Sequence, residues 1–492
     1  MTTISRREIL KLTSIAIGAL ITARCTVDDA PSTSSSLATN ASPISINQPV
    51  DSLEPASTPS PSPTPQTRDA DVIVIGAGVA GLSAAKALAE EDFSVIVLEA
   101  RNRMGGRVWT DTTTGTALDM GASWIHGTLL NPLTGLANDL DLDRVETDYD
   151  NHLIYGPEGE ELSDRQSAEA ERLFENMADQ LEEWAEDFDN DTSLQNAINQ
   201  YLQSRNLSDD KLLLLQYAIN TVIEHEYAAD VSQLSLWWFD DQSEFRGPDV
   251  VFPDGYEAIP RYLAQEIDIR LEEICSHVEY SADQVRIQST SGEFTASKVV
   301  VTLPLGVLKS GNVLFSPALP SGKQRAIEGL GFGVLNKVYL EFPTVFWDRD
   351  AHLLGYISEE KGRFCEWLNF YPLTGKPILL GFNAGEFGLT IENWADDEIV
   401  NLAMRTLETI YGEGIPQPIN YLITRWGKDP FSLGSYSSIK PFSTPALYES
   451  LAAPVDEKLY FAGEATHRWH PSTVHGAYMS GLRAAEEIIA DS

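Results

Sequence analysis

Residues 69–108 read DADVIVIGAGVAGLSAAKALAEEDFSVIVLEARNRMGGRV. The apolar run 72–75 consists of Val and Ile, the composition of a buried strand. Gly76, Gly78 and Gly81 follow at GxGxxG spacing, and the Ala-rich stretch 82–89 predicts a helix. Residues 95–98 predict a second strand, closed by Glu99, which lies 18 residues after Gly81. Each glycine has a mechanical task. Gly76 permits the tight turn out of the strand, Gly78 lets a pyrophosphate approach the backbone, and Gly81 lets the helix pack closely on the sheet. The helix start supplies free N–H groups and partial positive charge for phosphates. An acid ending the second strand binds the hydroxyls of an adenosine ribose. A lone GxGxxG is a weak signal. Strand, helix and acid at these distances together predict dinucleotide binding.

The next residues narrow the choice. Arg101, Arg103, Gly105, Gly106 and Arg107 form the run EARNRMGGR. A nicotinamide enzyme has no special need of Gly-Gly-Arg here. The run resembles that of FAD-binding flavoprotein oxidases, in which the second Gly and the Arg lie against the cofactor.

The whole chain has 492 residues, with 34 Lys and Arg against 73 Asp and Glu, a net charge of −39. Such a field repels phosphate, so nucleic acid is not an expected partner. Polycations would be attracted, although an acidic solvated surface needs no partner to explain it. Cys25, Cys275 and Cys365 have no metal-ligand spacing and imply no disulfide framework or metal site.

Residues 1–25 read as a targeting segment. Ser5-Arg6-Arg7-Glu8-Ile9-Leu10-Lys11 resembles a twin-arginine export signal, and residues 12–23 are uncharged and mostly apolar. That run is too short to span a bilayer but suits a signal core. The expected location is periplasmic, or tethered to the membrane at the N-terminus. Cys25 follows as in a lipoprotein, but Arg24 stands where a small residue is needed. Of the 44 residues at 26–69, 24 are Pro, Ser or Thr and none is aromatic. Such a stretch cannot offset its ordering entropy by burial, and predicts a disordered linker.

The body is expected to be α/β: an FAD-binding Rossmann-type domain (70–130, 246–315 and 425–492) interleaved with an α+β substrate-binding domain (131–245 and 316–424). In the phrase LDMGASWIHG, small residues let backbone approach a flat ring, with Trp124 and His126 able to line a pocket. Residues 158–230 read as an acidic helical lobe, with Leu173, Met177, Leu181, Trp184 and Phe188 on one apolar stripe. Its last helix ends in Glu224, His225, Glu226 and Tyr227, where Glu226 is placed to meet a cationic substrate. Val278 precedes the alternating strand 284–289. Alternation over 336–342 predicts a strand carrying Lys337, Tyr339 and Glu341 on one face; by pattern alone such a lysine faces solvent. Near the C-terminus, strand, Gly463-Glu464, a loop and a helix opening at Thr473 and Val474 repeat the design of a helix start aimed at a ligand.

Across residues 70–492 the chain resembles the flavin amine oxidases, in particular the branch of the polyamine oxidases and lysine-specific histone demethylases. The resemblance is carried by the opening motif, LNKVYLEFPTVFW, RWGKDPFSLGSYS and YFAGEATHRWHPSTVHGAYMSGLRAAEE. It implies that Glu99, Arg107, Val278, Glu464 and Val474 bind FAD and that Trp426 packs beside its ring system. Tyr436 would form one wall of an aromatic substrate site, and Lys337 would hold a water near flavin N5 and aid reaction with oxygen. Monoamine oxidases attach FAD through a Cys at the place of Ser435, so a non-covalent flavin is implied. Spermine and acetylpolyamine oxidases are similar to this chain in having a His at the place of His126. The implied reaction takes a neutral amine, removes a hydride equivalent from its α-carbon and hydrolyses the imine, while O2 becomes hydrogen peroxide. An L-amino-acid oxidase or monoamine oxidase of the same superfamily stays open, as does a flavin-binding protein without turnover. An export signal and the lack of chromatin-binding modules disfavour histone demethylation.

Overall fold

The computed structural model describes residues 68–492; the export-type segment and the linker up to residue 67 lie outside the described residues. Arg68 and Asp69, expected to close the linker, already belong to the body. Arg68 donates to Ser297 Oγ and Asp283 O, both at 2.7 Å. Asp69 Oδ2 accepts from Thr295 N and Oγ1.

The opening motif folds as read: strand Ala70–Ile75, helix Val79–Glu90, strand Val95–Leu98. The two strands pair in parallel, Val72 opposite Val95 and Ile75 opposite Leu98. On its other side the first strand pairs with Gly292–Val301, whose second half also pairs with Leu459–Phe461. These strands form the centre of an eight-stranded sheet completed by Asp268–Arg270, His277–Tyr280, Val285–Ser289 and Leu314–Ser316. Period-two alternation splits the apolar run between two cores. Val72 and Val74 face the helices Val79–Glu90 and Val474–Ala490, whereas Ile73 and Ile75 face the opposite layer. Both faces are covered, which is why the strands are continuously apolar. The two helices cross closely: a Cβ on Gly481 would lie 2.0 Å from Ser83 Oγ and 2.2 Å from Ala80 O.

The second body is a six-stranded sheet in the order Asn420–Ile423, Leu335–Glu341, Ile378–Ala384, Glu366–Asn369, Leu353–Tyr356, His152–Tyr155. The strand holding Lys337 is second in this order and covered on both faces. Val338 and Leu340 enter one core and Tyr339 the other. The solvent-facing expectation for Lys337 therefore fails: it is 3 % exposed. Helices Asp164–Asp187, Leu194–Ser204 and Asp209–Ile219 form the expected lobe. Its core takes Met177 and Leu181 from the stripe, and also Phe174. The lobe ends in a π turn, Asn220–Glu224.

Two stretches pack across the expected boundaries. Helix Pro132–Asp139, assigned by sequence to the substrate side, sends Leu133 and Ala137 into the core of the cofactor sheet. Helix Ser321–Gly329 does the same on the other face with Ala326 and Ile327.

Candidate active site

A large cavity runs between the two bodies, with about 2550 Å³ of empty space including its mouth. All residues assigned above to cofactor, substrate or catalysis line it, except Gly81 and Val278. Gly81 serves packing, because a Cβ there would meet Gly76 O at 2.0 Å. Val278 is fully buried in strand His277–Tyr280, among the core residues of the sheet.

At one end of the cavity lies the GxGxxG turn. Gly76 has φ +109°, and a Cβ there would press on Thr302 Oγ1 at 2.5 Å. Gly78, by contrast, has no atom within 4 Å of where its Cβ would stand. It is the N-cap of helix Val79–Glu90 and offers no side-chain cap, so the helix start opens on the cavity. Gly106 (φ +61°) comes so near that its Cβ would lie 3.3 Å from Gly78 Cα. Glu99 braces the turn: its carboxylate accepts from Ala77 N at 2.8 Å and Arg101 N at 2.9 Å. Arg101 makes a two-pronged contact with Asp429, 2.7 Å on each arm. Arg103 lies over the Trp109 ring and donates to Gly106 O. Burial lowers its pKa to about 10.

A second helix start opens on the same cavity. Thr473 caps Val474–Ala490, its Oγ1 accepting from Gly476 N at 2.9 Å. Glu464 accepts from Ser437 Oγ (2.6 Å) and Ser472 N (3.1 Å), and pairs with Arg107 at 2.9 Å. Arg107 also donates to Ser435 O at 2.7 Å, which joins the N-terminal motif to the C-terminal one. Trp426 Nε1 donates to Met120 O, and the ring meets Trp109 edge-on.

Between these ends stands Lys337. Its ammonium donates to Asp119 O (2.7 Å), Gly121 O (2.7 Å) and Ser123 Oγ (2.5 Å). All three protons are thus placed on protein acceptors, so a water here would receive no proton from it without displacing one of them. Burial lowers its pKa to about 8, opposed by the nearby Asp119. Burial likewise raises Asp119 to about 6, against hydrogen bonds from Thr110 and Tyr256 N.

The far end of the cavity is aromatic, with a histidine–carboxylate pair set in it. His126 Nδ1 lies 2.8 Å from Asp249 Oδ2, and the His126 ring stacks on Trp124. Trp124 is fixed by Thr147 Oγ1 at 3.0 Å. Tyr436 donates its phenol to His225 O at 2.7 Å, and burial with nearby Glu226 keeps that phenol neutral. Glu224 is spent elsewhere, on Lys361 at 2.6 Å and Val231 N at 3.0 Å. Sequence reading missed Asp119, Asp249 and Glu366; the first stands inside the phrase LDMGASWIHG, but the other two carry no local signal.

These features fit a flavin dinucleotide. Two helix starts face one cavity, the backbone at Gly78 leaves a seat that no side chain fills, and acids brace both ends. A sequence model of the family described as flavin containing amine oxidoreductase matches residues 79–489, and the chain belongs to that family. It is a flavin-containing amine oxidoreductase, and the dinucleotide seat just described fits FAD. It is 37 % identical over 437 residues to polyamine oxidase 4 of Oryza sativa subsp. japonica, covering 85 % of this chain and 88 % of that protein. Polyamine oxidase 2 of Arabidopsis thaliana is 35 % identical over 438 residues, with the same two coverages. Lysine-specific histone demethylase 1 homolog 3 of Oryza sativa subsp. japonica is 36 % identical over 435 residues, but only 54 % of it is covered. Among solved structures, a putrescine oxidase redesigned in its cofactor binding superposes with a TM-score of 0.70 at 22 % identity, covering 86 % of this chain and 99 % of that one. That likeness shares the fold.

Proposed function

We propose that this protein oxidises polyamines of the spermine and spermidine type with O2, giving an aldehyde, an amine and hydrogen peroxide. The observation that carries the reading is the substrate end itself: an aromatic wall with the His126–Asp249 pair and further carboxylates set into it. The names of two relatives covered over most of their length, both polyamine oxidases, support it. When bound, FAD supplies the acceptor for the hydride equivalent and passes the electrons to oxygen. The chain supplies orientation and charge. Asp249 holds the His126 ring by Nδ1, which leaves Nε2 to accept an N–H of the reacting nitrogen and orient it. Lys337 places a buried cation where reduced oxygen gathers negative charge.

A substrate carboxylate would want an arginine at this end. Among the described residues Arg101 and Arg107 are the arginines lining the cavity, and both already meet carboxylates. This weighs against an amino-acid oxidase. Ser435 uses its hydroxyl on Leu335 N at 2.9 Å and offers no thiol, which supports a non-covalent flavin. Arg6 and Arg7 support export by the twin-arginine route to the periplasm, with or without a tether at Cys25. The test is a peroxide-release screen over spermine, spermidine, acetylated polyamines, monoamines and L-amino acids. Turnover confined to monoamines or amino acids would overturn the polyamine reading.

A further inference from the structure

A second histidine–carboxylate pair lies in the cavity wall. His225 follows the π turn Asn220–Glu224, and its Nδ1 stands 3.2 Å from Glu366 Oε2 on strand Glu366–Asn369. The two residues are 8 % and 7 % exposed, and both line the cavity. A carboxylate only accepts, so Nδ1 carries the proton, and in the neutral ring Nε2 is the acceptor. That Nε2 is buried and has no hydrogen-bond partner among the described residues. A buried acceptor left unpaired is costly, and calls for a donor. Two structural features hold it in place. The His225 carbonyl is pinned by the Tyr436 phenol at 2.7 Å, and the ring leans on Phe382 at 6.1 Å. The π turn is the kind of helix irregularity that re-aims a side chain, and such turns gather at functional sites.

From His225 the ring contacts run to Phe382, then to Trp124 at 6.1 Å, then to His126 at 6.2 Å. Two carboxylate-backed histidines thus stand at opposite ends of one aromatic row in one cavity. A polyamine has the matching form: an apolar methylene chain with nitrogens bearing N–H donors at intervals. We propose that the His225–Glu366 pair is a recognition subsite for a second, non-reacting ammonium of a di- or polyamine. The ammonium donates an N–H to Nε2 while Glu366 supplies compensating charge through the ring. The methylenes lie along Phe382 and Trp124. This rests on the amine-oxidase reading and makes a further claim, that the enzyme counts nitrogens.

The test compares 1,8-diaminooctane with n-octylamine on the flavin-loaded enzyme, beside spermidine as a polyamine. The two probes have the same chain length and differ by one nitrogen. His225→Leu should lower the ratio of kcat/KM for diamine over monoamine about tenfold to hundredfold, the size of one charge-assisted hydrogen bond. In anaerobic stopped flow the apparent Kd of the diamine should rise by a similar factor, with the limiting rate of flavin reduction changing far less. Glu366→Gln keeps an acceptor for Nδ1–H but removes the charge, and should lower the same ratio should His225→Leu fail to fold. A ratio equal to the parent's in a folded variant, or equal losses on both amines, overturns the subsite and leaves the amine-oxidase reading standing. A parent enzyme that oxidises no amine at all sinks that reading, and the subsite with it.

Discussion

Gly78→Ala separates cofactor contact from folding. Gly78 has φ −76° and ψ 175°, a conformation open to alanine, and its Cβ would meet no protein atom within 4 Å. The folded protein has no reason to resist the methyl. Replacing glycine at a compatible backbone position adds about 0.4–1 kcal/mol by restricting the unfolded chain. The apoprotein should therefore melt no lower than the parent. FAD should feel the methyl, because the empty place over Gly78 is the seat assigned to its pyrophosphate. Forcing an extra methyl into a filled contact costs about 1–3 kcal/mol, or roughly tenfold to hundredfold in Kd. Gly81→Ala is the contrast: its Cβ would lie 2.0 Å from Gly76 O, and the fold itself should lose stability. Titration of each apoprotein with FAD, followed by flavin fluorescence and paired with thermal melts, distinguishes the two. A Gly78→Ala protein that binds FAD as tightly as the parent would refute the placement of the pyrophosphate.

Lys337→Met should slow flavin reoxidation by about one to three orders of magnitude, with a smaller change in reduction by amine, both read by stopped flow; reoxidation at the parent rate would remove Lys337 from the oxygen chemistry. The same variant has a pH signature. The native pKa of about 8 lies below the ordinary 10.5, so from about pH 8 to 10.5 the unfolded chain binds more protons at this group. The parent should accordingly gain stability relative to Lys337→Met as pH rises through that window, read from denaturant midpoints at its two ends. Acid precipitation should release yellow flavin into the supernatant; flavin left on the pellet would contradict the reading of Ser435. Changing Arg6 and Arg7 to Lys should hold the protein in the cytoplasm, and normal export of that form would refute the twin-arginine route.

The parts legible in the sequence were those fixed by local backbone. The GxGxxG turn, the strand before it and the acid after it are determined within thirty residues, and the fold follows them closely. Lys337 was misread because alternation tells which residues share a face, not whether that face is covered. Its burial depends on the 119–123 loop, more than two hundred residues away, which supplies all three of its acceptors. His225 and Glu366 are 141 residues apart, and no spacing rule joins them. The boundaries at 131 and 316 slipped for a related reason. Helices Pro132–Asp139 and Ser321–Gly329 are amphipathic in either assignment, and only tertiary packing decides which core receives them.

The joining of distant segments in the cofactor sheet has a consequence in time. Strand Leu459–Phe461 pairs with Val299–Val301, and helix Val474–Ala490 lies on helix Val79–Glu90. About 390 residues separate Gly76 from Glu464. At ribosomal rates of about 5–20 residues per second, the first half of the seat waits on the order of 20–80 s for the second. The nascent chain meanwhile carries a phosphate-binding turn without the helix start and acid that complete it. Flavin capture is therefore an event of the finished chain, and a protein that crosses a membrane with its flavin must delay crossing until then.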